Sequence, residues 1–222
     1  MLKLCVTTDT GDAEGQVTAL ASVVVGEAQI QDVLPRFTGD IQQIPPMHSA
    51  LKRDGRPLYE LARKGIEVER EPRAVRIHAI ECLAFTGDTL SLRVSCSKGT
   101  YIRVLAADIG QALGCGAHLI ALRRTVVGDL DLVKAVSLAG LDAISEDLRG
   151  AYLLPVDALL QSLPRVDLEA AEANRFSHGN PVALSPDLTG KIRVYADNRL
   201  IGVGEPGPGG LLWPKRLVQL AV

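Results

Sequence analysis

Apolar residues recur along this chain at two spacings, and the switch between them lays out its elements. Residues 74–85 and 89–95 alternate apolar with polar positions on either side of Gly87 and Asp88. That is the period of a half-buried strand interrupted by turn residues, so the stretch predicts a β-hairpin. Val104, Leu105, Ile109 and Leu113 recur at helical spacing instead and predict a helix that starts near Tyr101 and is ended by Gly114. Residues 97–100 read as its cap, with Gly99 supplying backbone freedom and Thr100 the capping oxygen. Residues 1–6 read as a strand, followed by a turn built from Asp9, Gly11, Asp12 and Gly15 and a partner strand over 16–25. Residues 30–37 predict a short helix, and Pro45 and Pro46 enforce an extended passage to His48. Pro57 opens a helix carried by Leu58, Leu61 and Ala62 and ended by Gly65.

Further along, residues 117–127 read as a mostly apolar strand into which Arg123 and Arg124 are inserted, and Ser137 starts another helix. Past Pro164 the pattern changes. Residues 191–195, 200–205 and 211–220 predict short strands joined by turn residues, notably PGPGG at 206–210, as in a small β-barrel or sandwich. The expectation is an α+β chain of two domains, 1–164 and 165–222.

Composition narrows the classes. Hydrophobic residues make up 47% of the 222, enough for a sizeable core. No apolar run reaches the roughly 18 to 20 residues of a membrane span, and no charged segment followed by an apolar core opens the chain. No membrane role is expected, and the expected compartment is the cytoplasm. Cys5, Cys82, Cys96 and Cys115 form no CxxC pair, so they read as buried reduced thiols rather than metal ligands. Asp9, Asp12 and Glu14 lack the ligand alternation and distal Glu of a calcium loop and read as an acidic hairpin turn. His118 lies in an apolar run and reads as a satisfied interior histidine.

A formal charge of −2 argues against a uniformly basic surface, yet the charge is unevenly placed. Residues 52–76 carry eight Lys or Arg against five acids, and 98–124 carry four against Asp108. Residues 173–222 carry six against three, whereas 129–172 carry three against nine. Basic faces set apart from an acidic one are compatible with a phosphate backbone lying across part of the surface. Lys52, Arg53, Arg56, Lys98, Arg123 and Arg124 are the candidate RNA contacts, each weighed against a plain surface or strand-end role.

Tyr101 and Arg103 open the predicted helix with polar ends that can line a cleft. An aromatic ring stacks on a nucleobase, and a guanidinium holds a phosphate or carboxylate with two parallel hydrogen bonds. The same pair elsewhere is often only packing and a surface ion pair. The surrounding segment CSKGTYIRVLAADIGQALGCGAHLIALRRT closely resembles a motif of the TruB family, the bacterial tRNA pseudouridine-55 synthases, which isomerise a uridine in the T-loop of tRNA. The resemblance extends through IQQIPPMHSALKRDGRPLYELARKGIEVERE at 41–71 and TDTGDAEGQV at 8–17, in family order, and more weakly through GNPV at 179–182 and the closing strands.

This resemblance implies a pseudouridine synthase catalytic domain over 1–164, of mixed or antiparallel sheet, and a small PUA-like RNA-binding domain over 165–222. It implies tRNA, through its T-arm, as the partner of a monomeric enzyme with no protein partner. By the same resemblance Tyr101 is the pocket tyrosine near the uracil, Arg103 pairs with the catalytic aspartate, and Leu122 is the apolar pocket residue, though Leu122 reads equally as strand core. His48 stands where the family motif has a tyrosine. The family's catalytic aspartate belongs to a GTLDP-like block ahead of the TDT segment, and these 222 residues contain none. The chain is therefore expected to be a truncated, inactive member, with Arg103 either solvated in an opened cleft or buried without its partner. The alternatives are a noncatalytic RNA-binding protein that keeps the T-loop cleft, or an Asp9 or Asp12 that substitutes for the missing aspartate, although nothing in the sequence places either beside Arg103. No metal, nucleotide or organic cofactor is implied, since the isomerisation has no net redox change.

Overall fold

The computed structural model describes residues 1–22, 24–53, 55–183, 185 and 187–218. The chain forms two compact units, Met1–Arg123 and Arg124–Val222.

The first unit is built on a five-stranded antiparallel sheet of order β4-β7-β8-β1-β9. Its strands are β1 (Leu2–Leu4), β4 (Gly39–Gln43), β7 (Arg73–Thr86), β8 (Thr89–Cys96) and β9 (Ala117–Leu119). The β7–β8 hairpin turns through Gly87 at φ 62° and pairs from Thr86 opposite Thr89 to Ile77 opposite Cys96, with register shifts between Cys82 and Ala84 and between Ile77 and Ala79 that interrupt the alternation. Cys5, at φ 64°, ends β1, and the chain leaves at a new angle as β2 (Val6–Thr8), which pairs with β3 (Val17–Leu20). Helix α1 (Glu27–Val33) continues as a 3-10 turn, Leu34–Phe37. A short hairpin of β5 (Lys52–Arg53) and β6 (Arg56–Pro57) leads into α2 (Leu58–Ala62), for which Pro57 is the N-cap.

Helix α3 (Ile102–Ala112) closes the core. Leu105 and Ile109, each 1% exposed, pack with Leu2, Leu4, Ile30, Ile77 and Leu90. Gly110 lets α3 lie directly on β9, since a β-carbon there would stand 2.2 Å from the Ala117 nitrogen. The predicted strand over 117–127 is corrected: β9 stops at Leu119, and Arg123 and Arg124 lie in irregular chain before β10 (Val126–Val127). Cys115 is buried and Cys5 and Cys96 are half-buried, but Cys82 is exposed, so it is not the buried thiol expected. His118 is 7% exposed, with Nδ1 2.9 Å from the Val6 carbonyl.

In the second unit β10 pairs with β11 (Leu130–Asp131). Ser137 caps α4 (Leu138–Asp142), its Oγ accepting from the Gly140 N–H at 3.0 Å. A mixed sheet follows, of order β12-β14-β15-β16-β13, with β12 parallel to β14 and the other pairs antiparallel. It comprises β12 (Arg165–Asp167), β13 (Val182–Ala183), β14 (Ile192–Ala196), β15 (Arg199–Gly207) and β16 (Leu211–Leu217). Phe176 of α5 (Ala170–Ser177) packs fully buried with Ile192, Val194 and Leu212. The predicted final strand reached residue 220; residues 219 and 220 lie outside those described. No residue from 121 to 167 is buried. Its later part is tied to the sheet by polar contacts: the Tyr195 hydroxyl donates to Asp157, and Arg193 donates to the Leu163 carbonyl at 3.0 Å. Among the described residues no helix is long and apolar enough to cross a membrane.

Candidate functional site at the start of helix α3

The loop from β8 to α3 is closed locally. Ser97 donates its N–H to the Arg76 carbonyl at 2.8 Å, its hydroxyl accepts from Arg76 N–H at 3.0 Å, and Gly99 sits at φ 83°. Thr100 does not cap the helix as its position suggests. Its hydroxyl donates back to the Ser97 carbonyl at 2.9 Å, and the N-cap residue is Tyr101 in extended conformation with no side-chain cap of its own. The missing partner comes from another element. Gln43 at the end of β4, 1% exposed, accepts from the Tyr101 N–H at 3.0 Å and donates to the Tyr101 carbonyl at 3.3 Å. A buried primary amide thus takes up the Tyr101 N–H, where an unmade bond costs free energy, and adds a second donor to a carbonyl that already accepts from the Leu105 N–H at 3.0 Å.

Two residues on, Arg103 is held from two sides. Its Nη1 donates to Asp12 Oδ2 at 3.0 Å and its Nη2 to the His48 carbonyl at 2.6 Å. The pair is about three-quarters shielded, with the two side chains 25% and 30% exposed. Asp12 is itself fixed: Oδ1 accepts from the Thr10 hydroxyl at 2.7 Å and the Glu14 N–H at 3.2 Å, while the Thr8 hydroxyl holds its carbonyl at 2.8 Å. Gly11, at φ 72°, gives its carbonyl to the Leu119 N–H at 3.0 Å and so fastens the loop to β9. Partial burial pushes the Asp12 carboxyl up, but the Thr10 hydroxyl, the Glu14 amide and Arg103 outweigh it and hold Asp12 below its ordinary value. Asp12 is therefore an ionised carboxylate whose oxygens are already engaged.

This overturns two expectations. Arg103 is neither solvated nor buried alone, and an aspartate from the TDT segment does stand beside it. Sequence missed the pairing because 91 residues separate the partners. Gln43 carried no signal at all. His48 contributes its carbonyl, which any residue supplies, so the exchange from the family's tyrosine leaves this contact intact. The guanidinium has further N–H donors beyond the two used, and the half-buried Tyr101 makes no side-chain hydrogen bond among the described residues.

The remaining candidates are placed less tightly. Leu122 is 62% exposed outside any strand, which corrects its reading as strand core: β9 has ended three residues earlier. Lys52, Arg53 and Arg56 come together on the β5–β6 hairpin, with Arg53 opposite Arg56. Arg53 also donates to the Glu69 carbonyl. Lys98, Arg123 and Arg124 are exposed. Among the described residues no group of three or more His, Cys, Asp or Glu side chains is arranged to hold a metal ion.

Three family models match in sequence. Residues 1–102 match the TruB family pseudouridylate synthase N-terminal domain, 103–161 the tRNA pseudouridylate synthase B C-terminal domain, and 164–218 the pseudouridine synthase II TruB C-terminal domain. A protein of Dechloromonas aromatica (strain RCB) named tRNA pseudouridine synthase B is 73% identical over 221 residues, covering 100% of this chain and 74% of its own length. The chain belongs to the TruB family. An Azoarcus sp. (strain BH72) protein of the same name is 53% identical, covering 98% of this TruB-family chain and 72% of its own. The fold agrees. A chain in the crystal structure of a Cbf5-Nop10-Gar1 complex superimposes with TM-score 0.67 at 23% identity, covering 97% of this chain and 65% of that one. One in an H/ACA RNP bound to a substrate RNA containing 2'-deoxyuridine gives 0.66 at 20% identity, covering 99% and 64%. The architecture is thus a pseudouridine synthase fold of α+β class followed by a small β-rich domain.

Proposed function

We propose that this chain carries the tyrosine and arginine side of a site that isomerises a T-loop uridine, at position 55, in tRNA. The observation that carries the reading is Arg103, fixed by Asp12 and the His48 carbonyl in the first turn of a helix whose entrance is Tyr101. Pseudouridine formation breaks the bond from ribose C1′ to uracil N1 and joins C1′ to C5; the C5 proton leaves and N1 gains one. The base has to leave its stack and turn over within the pocket, which costs least where it is already unpaired, as in a loop. Tyr101 offers a ring face to the uracil and a hydroxyl for proton movement. Arg103 offers its remaining donors to a carboxylate at the reacting nucleotide, keeping it ionised. Leu122 supplies an apolar contact to the base.

Asp12 positions Arg103 rather than attacking ribose, because both its oxygens are committed and its lowered pKa marks a stabilised, weakly basic carboxylate. The 222 residues contain no GTLDP-like block, so as a polypeptide by itself the chain is expected to bind tRNA without turnover. Lys52, Arg53, Arg56, Lys98, Arg123 and Arg124 are assigned to the RNA backbone, residues 1–164 to the catalytic domain and 165–222 to a PUA-like RNA-binding domain. The test is incubation with unmodified tRNA, followed by mass mapping of the T-loop and a binding titration. Saturable binding with uridine unchanged is the expected result; stoichiometric pseudouridine overturns the assignment of inactivity, and absence of binding overturns the RNA reading.

A further inference from the structure

We propose that Trp213 is a stacking platform for one unpaired nucleobase of bound RNA. The inference rests on the RNA-binding reading above and adds a site in the second unit. Along β16, Leu212 points into the core at 0% exposure, and Trp213 next to it faces outward at 38%. An indole left this open retains surface on which a base can stack. The ring is also held in place. Its Nε1 donates to the Pro208 carbonyl at 3.3 Å, and it lies against the backbone at Gly207, where a β-carbon would stand 2.3 Å from Cδ1 and 2.9 Å from Nε1. Any residue but glycine at 207 would displace the indole. A fixed ring loses little conformational entropy when a base stacks on it.

The surroundings fit an RNA strand. Lys215 and Arg216 follow on the same strand, both exposed. Glu205, opposite Trp213 in register, is ion-paired to Lys215 at 3.3 Å, which removes much of the local negative potential. Arg216 donates to the Lys215 carbonyl at 3.1 Å and makes no carboxylate pair among the described residues. With Lys215 taken up by Glu205, Arg216 is the cation left for a phosphate, and an aromatic ring with a nearby cation is the pairing by which single-stranded nucleic acid is held without base-specific hydrogen bonds. The ligand class is accordingly an unpaired nucleotide within a strand, not a duplex.

Trp213 is the only tryptophan of the chain, so indole fluorescence reports this position alone. The full chain is titrated with a single-stranded RNA hexanucleotide and, separately, with a blunt duplex of the same sequence. Binding of each is followed independently by anisotropy of a fluorescein on the RNA. The single strand should quench Trp213 strongly and protect it from acrylamide, while duplex binding should leave the emission unchanged. Trp213→Ala should weaken single-strand binding about five- to a hundredfold, and Trp213→Phe should restore affinity to within about threefold of the native chain. If Trp213→Ala fails to fold, quenching and acrylamide protection in the native chain decide alone. Single-strand binding that leaves Trp213 emission unaltered, or equal quenching by the duplex, overturns the platform while the RNA-binding reading stands. Failure of any RNA to bind defeats both.

Discussion

Asp12 and Arg103 show how one contact assigns roles that residue types alone leave open. An acidic loop of Asp9, Asp12 and Glu14 reads as a solvated turn, yet one of the three acids is partly shielded against a guanidinium, while among the described residues the Asp9 carboxylate accepts only the Gln16 N–H at 2.8 Å. Removing that carboxylate leaves Arg103 with the His48 carbonyl alone. Asp12→Asn should therefore lower unfolding stability at neutral pH by about 1–3 kcal/mol, read by urea denaturation. The pH dependence has a defined sign. Because Asp12 titrates below its ordinary value when folded, its contribution is complete above that value and fades as pH falls through the folded one. The stability gap between native and Asp12→Asn should stay constant from neutral pH to about pH 5 and close below about pH 4. A gap that persists unchanged at the acid end would mean the carboxylate charge is not what holds the arginine.

At the scale of elements, periodicity carried most of the description. The β7–β8 hairpin and the body of α3 follow directly from alternation and helical spacing, because their apolar faces are buried in one core. The ends of elements were less legible. Thr100 is a good capping residue, but the helix entrance is satisfied by Gln43 from a distant strand, and β9 stops where its partner β1 begins at Leu2. Gly110 marks where α3 and β9 touch. Gly110→Ala should destabilise the chain by about 1–3 kcal/mol or more by denaturant titration, since the added methyl meets backbone that cannot step aside. Residues 121–164 form the opposite case, with turns, short helices and the two-residue strands β10 and β11 but no buried side chain. Their amides should exchange with deuterium far faster than those of β7, β8, β14 and β15, as expected where few apolar contacts resist local opening. Protection there equal to the sheets would show that the segment is covered in solution.

For the whole molecule, net charge is the poorest guide: −2 overall conceals basic stretches, one of which the fold gathers onto the β5–β6 hairpin. Binding of tRNA should weaken with salt through counterion release. Replacing Lys52, Arg53 and Arg56 together by Gln should reduce the slope of log K against log salt by roughly 2 to 3, provided each meets a phosphate. A native slope near zero would remove the electrostatic surface from the account. By itself the sequence determined the α+β class, the long hairpin, the helix from Tyr101 and the family, because local periodicity and contiguous motifs are written in neighbouring residues. Only the tertiary structure decided that Gln43 clamps Tyr101 and that Asp12 faces Arg103. Those contacts join residues 58 and 91 positions apart, and which side chains meet across such distances is set by how strands and helices pack, not by the pattern within any one of them.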